Sequence, residues 1–197
     1  MYRFFKRLLD VIFAYMLLLM CYLPMILIAI LIKIDDGGPV IFKQIRIGML
    51  GKSFVCYKFR TMRTDAPSEL STSEFTNANE YITRIGVFLR KTSLDELPQL
   101  FNILIGEMSF VGPRPLIKNE YEIHNARKKY GVYSVRPGLT GLAQVCGRDK
   151  LSDLRKAECD AVYVTNMSFV SDLNIMVSTV IKVIKREGNA EYKETIT

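Results

Sequence analysis

The 197-residue chain has one histidine, His124, and four cysteines, Cys21, Cys56, Cys146 and Cys159, with no C-x-x-C pair among them. A lone histidine in a polar helical segment reads as a surface residue and leaves triad chemistry without a base. The cysteines show no metal-ligand spacing, and reduced thiols used as small hydrophobes in a cytosol-facing chain account for them. A G-x-x-x-x-G-K-[ST] loop is absent, as is a G-x-G-x-x-G placed after a strand, so P-loop and Rossmann nucleotide binding lack support. No internal repeat occurs, and no linker is long enough to separate two domains.

Hydrophobic residues make up 49% of the chain and charged residues 24%, which excludes a disordered or collagen-like polymer. The net charge of +7 is unevenly placed. Residues 1–64 hold ten basic and three acidic side chains, whereas residues 65–197 hold 17 of each. The excess follows an apolar segment rather than a basic, aromatic-rich face, so anionic lipid headgroups fit it better than nucleic acid.

That segment, Val11–Ile32, runs for 22 residues without a charge. A hydrocarbon core about 30 Å thick needs about 20 such residues as a helix. The run is too long for a cleaved signal peptide, and no A-x-A site follows it. Pro24 lies near its middle, where it removes a backbone hydrogen bond and clashes with the preceding turn. Arg3, Lys6 and Arg7 precede the run, and Lys33, Lys43, Arg46 and Lys52 follow it. Basic flanks favour the cytoplasmic side. A re-entrant helix broken at Pro24 satisfies both features, and a spanning helix is the alternative.

Pro39–Met62 reads as a β-hairpin turning at Gly48 and Gly51, with Val55, Tyr57 and Phe59 on one face of its second strand. Cys56, Lys58 and Arg60 share the other face. Asp65–Tyr81, rich in Ser, Thr, Asn and Glu, reads as a mobile acidic loop. Ser93 and Glu96 form a capping box that places Ser93 at the N-cap, Asp95 at N2 and Glu96 at N3. Leu97, Leu100, Phe101 and Leu104 then make one buried stripe. Further helices are expected over Lys118–Tyr130, Leu151–Asn166 and Asp172–Arg186. The last carries Leu173, Met176, Val177, Val180, Ile181 and Ile184 along one side, a face suited either to the core or to a membrane surface.

Acids at a helix start are favoured by the dipole alone, so Asp95 and Glu96 gain weight only from the cations around them. Arg90 and Lys91 lie just upstream, and Lys58 and Arg60 share a strand face. Pro113 and Pro115 fix the backbone around Arg114, Arg136 precedes Pro137-Gly138, and Arg148 follows Gly147. Rigidly held arginine forks suit bidentate phosphate binding. Together these residues suggest a diphosphate held against a nucleophile or a metal ligand.

Four ordered motifs carry a resemblance over essentially the full length. They are Tyr57-Lys58-Phe59-Arg60-Thr61-Met62, Leu89–Leu100, Met108–Pro115 and Arg136–Val145. With them the chain resembles the small monotopic phosphoglycosyl transferases, or bacterial sugar transferases. The resemblance implies an α+β fold: a re-entrant, Pro-broken membrane helix with its basic flank over residues 1–36, then a small, mostly helical cytosolic catalytic domain over residues 37–197, containing the β-hairpin and surface-associated amphipathic helices. It implies transfer of a sugar-1-phosphate from a UDP-sugar to polyprenol (undecaprenyl) phosphate with release of UMP, the first membrane step of glycoconjugate synthesis, at the cytoplasmic face of a bacterial inner membrane.

On the same resemblance Asp95 is the nucleophile and a Mg²⁺ ligand, and Glu96 assists it. Lys58, Arg60, Arg90, Arg114, Arg136 and Arg148 steady phosphate charge, and Asp160 and Tyr163 are candidate substrate contacts. The family's usual Ser-Pro at the helix break is Leu23-Pro24 here, and Leu142 stands where a tryptophan is common. A homodimer is compatible with a membrane enzyme of this size. Other readings of the residues are a Mg²⁺-dependent phosphohydrolase acting on UDP-sugars and a non-catalytic membrane-surface module.

Overall fold

A computed structural model gives an α+β protein, mostly helical, and describes residues 1–66, 78–147 and 150–185. The expected acidic loop therefore lies largely outside the described residues, as does Arg148. Helix α1, Tyr2–Asp36, is one continuous element with Pro24 inside it, closed by Gly37 in the left-handed conformation at φ 71°. It is long and apolar enough to cross a membrane. A stripe of Asp10, Ala14, Ile28 and Ile32 is buried against the rest of the chain. The opposite side, from Phe4 and Phe5 through Leu23 to Ile34, is exposed and apolar.

Strands β1, Ile41–Ile47, and β2, Ser53–Phe59, form the expected antiparallel hairpin, in a register that sets Gln44 opposite Cys56 and Phe42 opposite Lys58. Side chains alternate across a sheet, so Gln44, Arg46, Cys56 and Lys58 share one face. Arg60 lies just beyond β2. Its guanidinium is buried and pairs with Asp36 at the end of α1, so it does not join Lys58. The two cations of one strand face are drawn to different carboxylates.

Helix α2, Arg84–Thr92, opens on Thr83, whose hydroxyl accepts from the Gly86 N–H at 3.0 Å. The capping box expected after it does not form. Ser93 has φ 57° and closes α2, its N–H reaching the Arg90 carbonyl at 3.3 Å. Leu94–Glu96 is a single 3₁₀ turn, and Pro98 precedes helix α3, Gln99–Ile105. Proline supplies no N–H, so the first turn of α3 needs fewer caps. The buried face also shifts. Gln99, Leu100, Asn102 and Ile103 turn inward, while Phe101 is 47% exposed.

Asn102 fastens α3 to β2. Its Oδ1 accepts from the Tyr57 N–H at 3.1 Å, and its Nδ2 donates to the Val55 carbonyl and to Glu107, both at 2.7 Å. The side-chain amide thus pairs with one edge of β2 as a neighbouring strand would.

Strands β3, Ser109–Val111, and β4, Gly138–Thr140, pair in parallel and join two of the sequence motifs. The approach is close enough that a Cβ on Gly138 would lie 2.1 Å from the Gly112 nitrogen, which only glycine permits. Helices α4, Tyr121–Lys129, α5, Leu142–Cys146, α6, Asp153–Thr165, and α7, Phe169–Lys185, complete the domain. Helix α7 packs through Ile175 and Met176, while Leu173, Val177, Val180, Ile181 and Ile184 are exposed. Most of its apolar stripe therefore faces away from the core.

His124 is buried rather than on the surface, held between the Ile117 carbonyl at 2.8 Å and the Tyr133 hydroxyl.

Replacing Asn102 with Leu leaves the Tyr57 N–H and the Val55 carbonyl without their partner, at a cost of about 1–3 kcal/mol for each buried group. Thermal or denaturant unfolding of the purified protein checks this. Wild-type stability would remove Asn102 as the tie between α3 and β2.

Candidate active site

The 3₁₀ turn presents Asp95 and Glu96 side by side, both partly buried. Lys58 of β2 reaches Glu96 at 2.6 Å, so hairpin and acid pair are joined by an ion pair. Arg90, in the last turn of α2, donates through Nε to the Thr61 hydroxyl at 2.9 Å, and its charge also acts on Asp95. Burial pushes the Asp95 carboxyl up to about 6. Lys58 opposes that rise, the Glu96 charge adds to it, and Arg90 opposes it. Asp95 is consequently a carboxylate near neutral pH that protonates far more readily than an ordinary aspartate.

Glu96 of the pair lines a cleft together with Arg46, Cys56, Lys58, Gln99 and Arg114, and Pro115, Gly138 and Leu139 complete its wall. Arg114 is set by its flanking prolines, and its carbonyl accepts from Arg127 at 2.8 Å. Arg127 is in turn locked to Asp160 in a buried ion pair at 2.5 Å. Burial pushes the Cys56 thiol up, which keeps it neutral and a poor nucleophile.

The cations anticipated around the acid pair are thus partly assembled. Lys58 and Arg114 line the cleft, and Arg90 stands next to Asp95. Arg60 goes to Asp36. Arg136 donates to the Gly106 carbonyl at 2.7 Å, beside Arg7, which donates to the Ile103 and Leu104 carbonyls. Those two arginines cap the C-terminal end of α3, the end away from Asp95, where carbonyls and the helix dipole attract cations.

Asp160 and Tyr163 are 1% and 2% exposed. Asp160 holds Arg127, and the Tyr163 hydroxyl donates to the Val111 carbonyl at 3.1 Å and to Asp172 at 2.8 Å. Both are buried, with partners of their own in the framework.

Sequence reasoning missed Arg46, Cys56 and Gln99 as cleft residues. The hairpin register carried the signal for the first two, since the Gly48–Gly51 turn sets Arg46 and Cys56 on the Lys58 face.

The bacterial sugar transferase family model matches residues 1–186. The chain belongs to that family. It is 43% identical over 184 residues to the uncharacterized sugar transferase EpsL of Bacillus subtilis (strain 168), covering 93% of this chain and 89% of the relative. It is 40% identical over 198 residues to the exopolysaccharide production protein ExoY of Rhizobium meliloti (strain 1021), covering 93% and 87%. Similarity at 40% identity over 185 residues extends to the UDP-glucose:undecaprenyl-phosphate glucose-1-phosphate transferase of Klebsiella pneumoniae, with 90% of this chain but 40% of the relative covered. The chain spans about two fifths of the length of this and several other family members it matches.

The raised Asp95 carboxyl has a stability consequence. Because its folded value lies above the unfolded one, Asp95 supports folding below about pH 4 and loses that contribution as pH rises through about 6. Asp95→Asn, which cannot ionise, is expected to match wild type near pH 4 and to exceed it by roughly 1–3 kcal/mol at pH 7.5. Melting curves at the two pH values check this, and a variant no more stable at pH 7.5 would contradict the burial of the charge.

Proposed function

We propose that this sugar transferase moves a sugar-1-phosphate from a UDP-sugar to polyprenol phosphate through a covalent intermediate on Asp95. The observation that carries the reading is an acid pair whose Glu96 binds Lys58 and lines a cleft with two arginines on its wall, while Lys58 and Arg90 act on Asp95. The names of relatives that act on undecaprenyl phosphate support the acceptor, and that of the Klebsiella relative supports the donor class.

In the first half-reaction an Asp95 carboxylate oxygen attacks the phosphorus that bears the sugar. The bond from that phosphorus to the bridging oxygen breaks, and UMP leaves with the electron pair. In the second, an oxygen of polyprenol phosphate attacks the same phosphorus, the acyl phosphate bond breaks, and Asp95 returns as a carboxylate. The product is a polyprenol diphosphate sugar. Lys58 and Arg114 offset the charge that gathers on the phosphates, and Arg90 helps keep Asp95 ionised. Glu96, fixed by Lys58, stands where it can orient the acceptor phosphate.

Mg²⁺ fits this donor set. The ion takes one or two carboxylates and completes its shell with water and substrate phosphates, and no cluster of three metal-ligating side chains occurs among the described residues. Asp95 would hold it, with Glu96 alongside, and when bound it supplies charge neutralisation on the diphosphate.

A re-entrant α1 at the cytoplasmic face of the inner membrane belongs to the same proposal. A straight helix of 35 residues is about 50 Å long, and as a span it would put its two ends on opposite sides of the bilayer. Both ends instead touch one domain. Lys6 pairs with Asp172 and Arg7 binds the end of α3, while Asp35 accepts from the Ile85 N–H and Asp36 pairs with Arg60. The exposed apolar middle around Leu23 and Pro24 is the part that enters the lipid, and a bend at Pro24 has a physical cause in its missing N–H.

With a panel of UDP-sugars and polyprenol phosphate, wild type is expected to release UMP, and Asp95→Asn to lose at least about 1,000-fold in rate, since a neutral amide is a poor nucleophile. Wild-type-like release by the variant would remove Asp95 as nucleophile. Single cysteines at residue 2 and within residues 65–81 are expected to be labelled from the same side of the membrane. Opposite-side labelling would make α1 a span.

A further inference from the structure

The cleft wall beside the acid pair holds more positive charge than its own acids neutralise. Lys58 is matched by Glu96, yet among the described residues neither Arg46 nor Arg114 forms an ion pair. Arg46 is held rigidly: one Nη donates to the Pro115 carbonyl at 3.0 Å, and the other to the Gln44 side-chain oxygen at 2.5 Å. A guanidinium has five N–H donors, so most of its fork is left over. Burial, and then the nearby Arg114 charge, lower the Arg46 guanidinium to about 10, against the smaller opposing effects of Cys56, Glu120 and Glu96. Two like charges kept this close on one wall repel each other, and an anion between them offsets that repulsion.

Gln99 adds an independent sign. The residue is 3% exposed and lines the same cleft, and its Nε2 is buried without a hydrogen-bond partner. A buried amide donor left unpaired costs about 1–3 kcal/mol. A fold that keeps one beside two guanidiniums without an ion pair among the described residues is arranged for an acceptor supplied from outside.

We propose that Arg46, Arg114 and Gln99 form a phosphate seat beside Glu96, holding a phosphoryl group other than the one Asp95 attacks. This rests on the transferase reading, which supplies two sources of that chemistry: the UMP-side phosphate of the donor and the phosphate of the acceptor. Arg46 and Gln99 are positioning residues in this arrangement. They fix the substrate while Asp95 carries out the chemistry.

The test uses the purified full chain and inorganic pyrophosphate as probe, with Arg46→Lys, Arg46→Met and Gln99→Met compared with wild type. Pyrophosphate is expected to protect wild type against thermal unfolding. Arg46→Met and Gln99→Met are expected to weaken its binding roughly 10- to 100-fold, with Arg46→Lys between them and wild type. Gln99→Met discriminates further, because removing an unsatisfied amide raises the melting temperature of the free protein while shrinking the pyrophosphate shift. A purely structural glutamine would lower the first and leave the second. Pyrophosphate protection unchanged in Arg46→Met and Gln99→Met overturns the seat.

Steady-state assays assign its occupant. A rise in KM for the UDP-sugar, with kcat less affected, places the donor phosphate there. A rise in KM for polyprenol phosphate places the acceptor there, and an active enzyme with neither KM changed overturns the proposal. Wild type that is protected through Arg46 and Gln99 but releases no UMP from any UDP-sugar would leave the seat standing and remove the transferase reading.

Discussion

Two adjacent carboxylates held partly out of water are unfavourable unless a cation is fixed beside them, and the ion pair of Lys58 with Glu96 at 2.6 Å meets that constraint. Lys58 belongs to β2, and the acids to the turn before α3, so the pair forms only if hairpin and helix hold a set distance. Asn102 provides that hold by bonding the β2 backbone through both ends of its amide. The left-handed Ser93 ends α2 and turns the chain into the 3₁₀ turn that carries Asp95 and brings Glu96 to the cleft, with the Arg90 charge acting on Asp95. Asp95 is left with burial and the Glu96 charge raising its carboxyl and two cations opposing them, which keeps it ionised near neutrality yet weakly solvated. An oxygen nucleophile in that condition is more reactive than one fully hydrated.

The other wall of the cleft is built on a second chain of contacts that reaches deep into the domain. Arg114 is placed by two prolines and by Arg127, and Arg127 by its buried bond to Asp160 on α6. Asp172 on α7 accepts from Tyr163, Tyr2 and Lys6. The last two contacts attach the start of α1 to the helices that carry this framework. Removing either partner of such a buried pair leaves the other as an uncompensated charge. The apolar faces of α1 and α7 and the exposed Phe88, Phe101 and Ile105 give the domain a surface suited to lipid, the phase in which a polyprenol acceptor is dissolved.

Much of this was legible in the sequence where the signal was local. The hairpin followed from alternation and two turn glycines, and α6 and α7 followed from helical spacing to within a few residues. The Asp95–Glu96 pair stood out through its surrounding cations, and the four motifs were enough to point to the family. What the sequence hid was decided by tertiary partners. Ser93 and Glu96 fit a capping box in spacing, but Ser93 was needed to end α2. Arg60 looked equivalent to Lys58 until Asp36 claimed it. Arg136 stood out for the Pro-Gly that follows it, and its hydrogen bond to the Gly106 carbonyl beyond α3 was not legible. His124 read as a surface residue because its helix is polar, yet two hydrogen-bond partners make its burial tolerable. Arg46 lay outside the four motifs and Gln99 inside one of them, and both became visible as cleft residues only once register and helix phase were known.

The central claim is that Asp95 carries the phosphosugar between the two half-reactions. Incubating the protein with UDP-sugar and no acceptor, quenching in acid and weighing the intact chain and its peptides tests it directly. The account predicts UMP release in a burst not exceeding one equivalent, and a mass increase of one sugar phosphate on the peptide containing Asp95. Turnover that proceeds without an adduct, or an adduct on a different side chain, would contradict it.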